Sequence, residues 1–256
     1  MKIAGLQMQS VPADVEANLS KIDAAAEKAA AKGARLLIAP ELALTGYGAA
    51  DRFPTLASPA DGALADRLSF IARRHRLTIV AGFAEASKGS IYNSVLLTDG
   101  TGQTAVYRKS HLYGLYERQW FSREEPCSVI ATVDGINIGM LICYDVEFPE
   151  NVRRLAMAGA ELVVVPTALP VGWSGQFIAE HMIPVRAFEN QVFVAYINHC
   201  GADDQFSYAG LSRIAAPDGT LIAEAPAKGE ALIFADIDIL DFATSRSENT
   251  YLTDLG

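Results

Sequence analysis

Short apolar runs alternate along this chain with stretches in which an apolar residue returns every third or fourth position. The first pattern predicts buried strands and the second amphipathic helices. Residues 2–8 and 34–39 (ARLLIA) read as strands. Between them a helix is predicted from a cap at Asp14 to about Lys32, with Val15, Leu19 and Ile22 inward and Gly33 as its stop. Residues 61–75 read as a helix and 78–85 as a strand. Residues 90–98 and 103–107 form a hairpin around Asp99-Gly100-Thr101-Gly102, and 128–133 and 136–142 another, turned by Asp134-Gly135. A helix over 149–158, a strand over 161–165, a long helix over 176–190 and strands over 191–198, 209–215 and 231–237 complete the pattern, with Pro217-Asp218-Gly219 as a turn.

No internal repeat, low-complexity tract or Pro/Gly/Ser-rich linker interrupts this alternation. It is therefore read as one domain over residues 1–256, with a short C-terminal tail from about 239. Hairpin-rich regions beside βα units predict mixed sheets with helices on their outer faces, a layered α/β arrangement. Periodicity does not by itself choose between that and a doubly wound sheet.

Composition narrows the function classes. Half of the residues are hydrophobic (50%), 20% are charged and the net charge is −9. This is a globular profile that argues against a nucleic-acid surface, which needs clustered Lys and Arg. Short basic patches such as Arg73-Arg74-His75-Arg76 and Arg153-Arg154 read as solvated helix faces. No run approaches the ~20 apolar residues of a membrane span, and the apolar start MKIAGLQMQS is too short for a signal peptide. Three cysteines without framework spacing suit a reducing cytoplasm, and no CxxC or His/Cys cluster suggests a metal.

Four residues carry candidate chemistry. Cys143 follows the apolar run 138–142 and precedes Pro149, a helix start, so it reads as an elbow cysteine whose thiolate nearby N–H groups would favour. The bland alternative is a buried inert thiol, which is how Cys127 and Cys200, beside or within strand-like sequence, are read. Glu41 follows the strand Leu36-Leu37-Ile38-Ala39 and Pro40: it is either a helix cap or a surface loop residue or, buried where a carboxylate is costly unless paired or used, a general base. Lys109 follows strand residues 104–107 and Arg108. It either snorkels to water or, buried beside a carboxylate, stabilises an oxyanion. Glu117 either holds Lys109 in place or pairs with Arg118 or another surface cation. None of His75, His111, His181 and His199 stands in a recognisable Cys–His protease pattern.

Read together, these segments resemble a known family. Ala39-Pro40-Glu41-Leu42, Arg108-Lys109-Ser110-His111-Leu112 and Ile142-Cys143-Tyr144-Asp145 with Phe148-Pro149-Glu150 are similar, in order and spacing, to the three blocks of the nitrilase (carbon–nitrogen hydrolase) superfamily. Arg186-Ala187-Phe188-Glu189-Asn190, Gly210-Leu211-Ser212 with Pro217-Asp218-Gly219, and Tyr251-Leu252-Thr253-Asp254 extend the resemblance over essentially the whole chain.

The resemblance implies a four-layer αββα sandwich and a homodimer or higher homo-oligomer, formed through helices after Cys143 and around 176–190. It implies a catalytic triad of Glu41, Lys109 and Cys143, with Glu117 as a second acidic residue and the Tyr144 N–H beside Lys109 in the oxyanion site. It implies no metal or organic cofactor. Tyr144 and the run Cys-Tyr-Asp-Val-Glu-Phe-Pro-Glu look like amidases of small aliphatic or amino-acid amides. The alternatives are a nitrilase, an N-carbamoyl amidohydrolase or a catalytically silent binding homologue. By position, Tyr47, Tyr116, Thr167, Ala168, Leu169 and Trp173 are expected to line the substrate pocket.

Overall fold

The computed structural model describes residues 1–255. One sheet has the order β14–β1–β2–β3–β4–β5, formed by β1 (Lys2–Gln7), β2 (Leu36–Ile38), β3 (Thr78–Ser87), β4 (Ser90–Thr98), β5 (Thr104–Arg108) and β14 (Ala231–Asp236). The other has the order β13–β12–β9–β8–β7–β6, formed by β6 (Ile130–Val133), β7 (Ile136–Met140), β8 (Leu162–Thr167), β9 (Phe193–Asn198), β12 (Arg213–Ala215) and β13 (Leu221–Glu224). A small hairpin, β10 (Cys200–Ala202) and β11 (Ser207–Ala209), stands apart.

The two sheets share one plan. From β5 to β14 the pairings run antiparallel, antiparallel, parallel, parallel, antiparallel, and from β13 to β6 they run the same way. The halves thus repeat in topology with no repeat in sequence.

Helices α1 (Val15–Ala31) and α3 (Ala63–His75) cover the first sheet, after a short α2 (Phe53–Leu56) and before α4 (Gly114–Trp120). Helices α5 (Pro149–Met157) and α7 (Ile183–Asn190) cover the second, with α6 (Trp173–Phe177) leading into α7. The inner faces meet in a core that includes Ile3, Ile38, Val80, Val163 and Ile197, all fully buried. Each such side chain contributes roughly 1.5–3 kcal/mol relative to exposure. The sheets approach closely at Gly5, where a Cβ would stand 2.4 Å from Ile197 Cδ1. The result is a four-layer αββα sandwich, as the resemblance implies. The central strands β2, β8 and β9 are buried along their whole length, so they read as unbroken apolar runs rather than alternating ones.

Local chemistry accounts for the boundaries. Asp14 caps α1 by accepting from Ala17 N at 2.9 Å. Asp134 and Gly135 turn β6 into β7 with φ of 46° and 81°, the backbone hand a tight hairpin needs.

Three expectations are corrected. The long helix over 176–190 is not uniform: a turn of wider π-type helix, Ile178–Met182, separates α6 from α7. Pro184, near the start of α7, has no N–H to donate and its ring crowds the preceding turn, which the wider turn accommodates. The strand expected over 209–215 is broken, because Gly210 and Leu211 take φ of 63° and 55°. Cys127 is exposed, not buried. The tail forms α8 (Ala243–Glu248) and α9 (Tyr251–Asp254), with Phe242 edge-on to Phe193 and Tyr251 edge-on to Phe188. Among the described residues no helix is long and apolar enough to cross a membrane.

Candidate active site

The candidate residues converge where strands of both sheets end. Glu41 follows β2, Lys109 follows β5, Cys143 follows β7 by three residues, and α4 carries Glu117. Lys109, Glu41 and Glu117 are all essentially buried. The Lys109 Nζ lies 2.6 Å from Glu41 Oε1 and 2.6 Å from Glu117 Oε1. Of the two readings open for Lys109, the buried one holds. Its burial works against the charge, but Glu117 and Glu41 outweigh that and hold the ammonium well above the usual lysine value. Glu117 pairs with Lys109 rather than with Arg118.

Glu41 is fixed from several sides. Its Oε1 also accepts from Asn93 Nδ2 at 2.7 Å, whereas Oε2 has no partner among the described residues. Its backbone carbonyl meets His199 Nε2 at 2.6 Å. Burial pushes the His199 pKa down, so the ring is neutral and donates from that nitrogen. Gly82 of β3 closes in behind: a Cβ there would be 2.1 Å from Leu42 N and 2.7 Å from the Glu41 carbonyl carbon.

Glu117 accepts from the Tyr47 hydroxyl at 2.9 Å and from Tyr113 N at 2.8 Å. Burial, reinforced by Glu41 and opposed by Lys109, pushes its pKa up to about 7. Burial likewise keeps Tyr47 a neutral donor.

Cys143 takes φ of 44°, a left-handed conformation that costs a non-glycine residue ~1–3 kcal/mol and persists only where the surroundings enforce it. Asp145 supplies that enforcement. Its carboxylate accepts from Ser110 Oγ (2.8 Å), His111 N (2.9 Å) and Tyr107 Oη (2.9 Å), tying the Cys143 loop to the Lys109 loop. His111 stacks on Phe148 with ring centroids 3.9 Å apart.

Cys143 is 8% exposed, so it is buried rather than displayed at the sheet edge. Nor does its setting favour the thiolate: burial, then the Glu41 charge, push the Cys143 pKa well above the usual thiol value, against the pull of Lys109. The resting form is a thiol, and reaction requires a base. The juxtaposed carboxylate with a free oxygen, ammonium and thiol can move a proton, hold a developing negative oxygen and attack a carbonyl carbon.

Cys143 opens into a cavity of about 100 Å³ bounded by Tyr144, Glu147, Ala168, Leu169 and Ser174. Tyr47, Tyr113, Ala168 and Pro170 are shared with an adjoining cavity of about 230 Å³ walled further by Tyr116, Phe206 and Tyr208. Of the expected pocket residues, Tyr47, Tyr116, Ala168 and Leu169 stand in these walls. Thr167 does not: it is fully buried and its hydroxyl donates to Val165 O at 2.9 Å. Trp173 does not either: it is 76% exposed and stacks on Phe177. Thr167 ends β8 inside the sheet, and Trp173 lies on the segment after it, where Ser174 and Gly175 line the cavity while the Trp173 side chain is left to solvent.

Sequence reading missed Asn93, Asp145, Glu147, His199 and the Phe206/Tyr208 wall. Asn93, an amide among apolar strand residues, and Asp145 and Glu147, inside the block around Cys143, carried a usable signal; His199 and the Phe206/Tyr208 wall did not.

The Carbon-nitrogen hydrolase family matches residues 2–246. The "Hydrolase in pqqF 5'region" of Pseudomonas protegens is 44% identical, covering 99% of this chain and 88% of that protein. An (R)-stereoselective amidase of a Pseudomonas species is 33% identical over 99% of this chain and 91% of its own length. The amidase of Nesterenkonia AN1, described as of the nitrilase superfamily, superposes with a TM-score of 0.88 at 33% identity, covering 99% of this chain and 93% of that one. Other structures of that amidase include a complex with acrylamide and covalent additions at its active-site cysteine. With its sandwich of two mixed sheets and its match across nearly the whole length, the chain belongs to the carbon–nitrogen hydrolase family.

Proposed function

We propose that this enzyme is an amidase that hydrolyses small amides to the carboxylic acid and ammonia through a thioester on Cys143. The observation that carries the reading is the Lys109 ammonium, fully buried between Glu41 and Glu117 at 2.6 Å from each, beside a thiol that needs a base.

Oε2 of Glu41, which has no partner, takes the thiol proton as Sγ attacks the amide carbon. The carbonyl π electrons move to oxygen, and Lys109 with the Tyr144 N–H receives the oxyanion. Collapse breaks the C–N bond while Glu41 returns the proton to nitrogen, so ammonia leaves and a thioester remains. Glu41 then draws a proton from water as its oxygen attacks the thioester. Collapse expels Sγ, which recovers that proton, and the acid departs. Glu117 keeps Lys109 in place, with Tyr47 and the Tyr113 N–H bound to its two oxygens. No step calls for a metal or an organic cofactor.

Amidases among the relatives favour the amide over the nitrile or N-carbamoyl alternative. Ammonia release from matched amides, nitriles and N-carbamoyl compounds tests this, with Cys143→Ala as control. Amide turnover lost in the variant is expected. Turnover of nitriles or carbamoyl compounds alone overturns the amide assignment, and silence on the whole panel returns the weight to a binding role.

A further inference from the structure

The catalytic cavity contains one carboxylate for which the reaction has no use. Glu147 lies four residues after Cys143 on the same 3₁₀ turn, Cys143–Glu147, and stands in the cavity wall. At a rise of ~2 Å per residue the two Cα atoms are ~8 Å apart. Among the described residues the Glu147 carboxylate has no hydrogen-bond or ion-pair partner; only its backbone carbonyl is used, accepting from Arg186 at 2.8 Å. Arg186 is itself committed to Glu189 at 2.9 Å and to the Val146 carbonyl at 2.8 Å. Lys109 is held by Glu41 and Glu117. The half-buried Glu147 carboxylate thus stands in the cavity wall with no ion-pair partner among the described residues; burial pushes its pKa up, against the more distant charges of Lys109 and Arg186.

The rest of the lining points the same way. Among the described residues no Lys, Arg or His stands in the wall of either cavity. The adjoining cavity presents Tyr47, Tyr113, Tyr116, Phe206 and Tyr208, whose ring faces attract a cation. A substrate carboxylate would meet the Glu147 charge, offset only by Lys109 and Arg186, both already held by other partners. A substrate ammonium would meet the Glu147 carboxylate in a wall it shares with Tyr47, Tyr113 and Tyr144, with the other rings in the adjoining cavity.

Resting on the amidase reading, we propose that the preferred amide carries an ammonium on its acyl side and that Glu147 receives it. The substrate class is then the amino-acid or amino-alkanoic amides, with dicarboxylate monoamides disfavoured.

Three amides of one chain length test this: one ending in an ammonium, one in a methyl and one in a carboxylate. In the wild type, kcat/KM for the ammonium amide should exceed that for the methyl amide by about 10–100-fold, the range of one hydrogen bond to a charged group. The carboxylate amide should be the poorest. Glu147→Gln should collapse the ammonium-to-methyl ratio toward one, mainly through KM. A wild-type ratio at or below one, or a ratio that Glu147→Gln leaves intact, overturns the assignment while leaving the amidase reading standing. Turnover of none of the three overturns the amidase reading and this assignment with it. The wild-type ratio decides the question even if the variant does not fold.

Discussion

Asn93 donates to Glu41 through the same carboxylate oxygen that receives Lys109, at 2.7 Å and 2.6 Å respectively. One oxygen is thereby saturated and the other is left for the reaction. This division is why Asn93, in the middle of an apolar strand, belongs to the site.

Asn93→Ala removes a hydrogen bond to a buried charge, worth roughly 1.5–3 kcal/mol. Steady-state kinetics of ammonia release should show kcat lower by about 10–100-fold with little change in KM, because the contact orients a base rather than binding substrate. A rise in KM at constant kcat would assign Asn93 to substrate binding instead.

Lys109→Met leaves Glu41 and Glu117 facing each other in a dry interior. Breaking a buried ion pair in this way costs about 3–5 kcal/mol, and losing an oxyanion donor costs at least ~10²-fold in rate. Urea denaturation should show the first and turnover the second. Lys109→Arg is not conservative, since the buried ammonium sits 2.6 Å from each of two carboxylates and a longer, planar guanidinium presents its donors in a different geometry.

The raised pKa of Glu117 has a consequence for stability. Its folded value, about 7, lies above its ordinary value of 4.5. Between those two pH values the folded protein holds a proton that the unfolded chain has released. This group's contribution is therefore fully present below pH 4.5 and is lost as pH rises through about 7. The unfolding free energy of wild type minus that of Glu117→Gln should fall from pH 5 to pH 8. A difference that rises over this range would contradict the assignment.

Gly82→Ala would drive a methyl into the backbone at Glu41 and Leu42, within 2.1 Å at the nearest atom. Overpacking of this kind costs typically ~1–3 kcal/mol. The backbone that must yield carries the base, so activity should fall along with the thermal midpoint. A stable but inactive Gly82→Ala is compatible with a displaced Glu41, whereas full activity would show that the approach is easily relaxed.

Much of the layered plan was legible because the physics is local. Asp14 and Gly33 bound α1, Asp134-Gly135 turn a hairpin, and apolar runs such as 162–165 can only be buried strands. The π-type turn before Pro184 and the break at Gly210-Leu211 were less legible, since a proline or glycine marks a place of irregularity without fixing its form. The shared pairing plan of the two sheets left no trace in residue identities, because many sequences satisfy one pattern of burial.

At the site, Glu41, Lys109 and Cys143 announced themselves by standing after apolar strands and through the family blocks, and Glu117 only as a second acidic position that the resemblance implies. The free-thiol state of Cys143 did not, because it depends on Glu41 and on burial contributed by distant segments. Trp173 was misread because nearness in sequence to β8 does not say which side chain of the segment faces the cavity: Ser174 lines it and Trp173 is exposed. His199 was unreadable for the converse reason: 158 positions separate it from the Glu41 carbonyl it holds.

Intact-protein mass spectrometry of a rapidly acid-quenched reaction with a turned-over amide, followed by peptide mapping, reads the thioester on Cys143 itself. An adduct of acyl mass on Cys143 is expected, absent from Cys143→Ala, which should also release no ammonia. Undiminished turnover with no adduct at any quench time, or ammonia release surviving in Cys143→Ala, would contradict it.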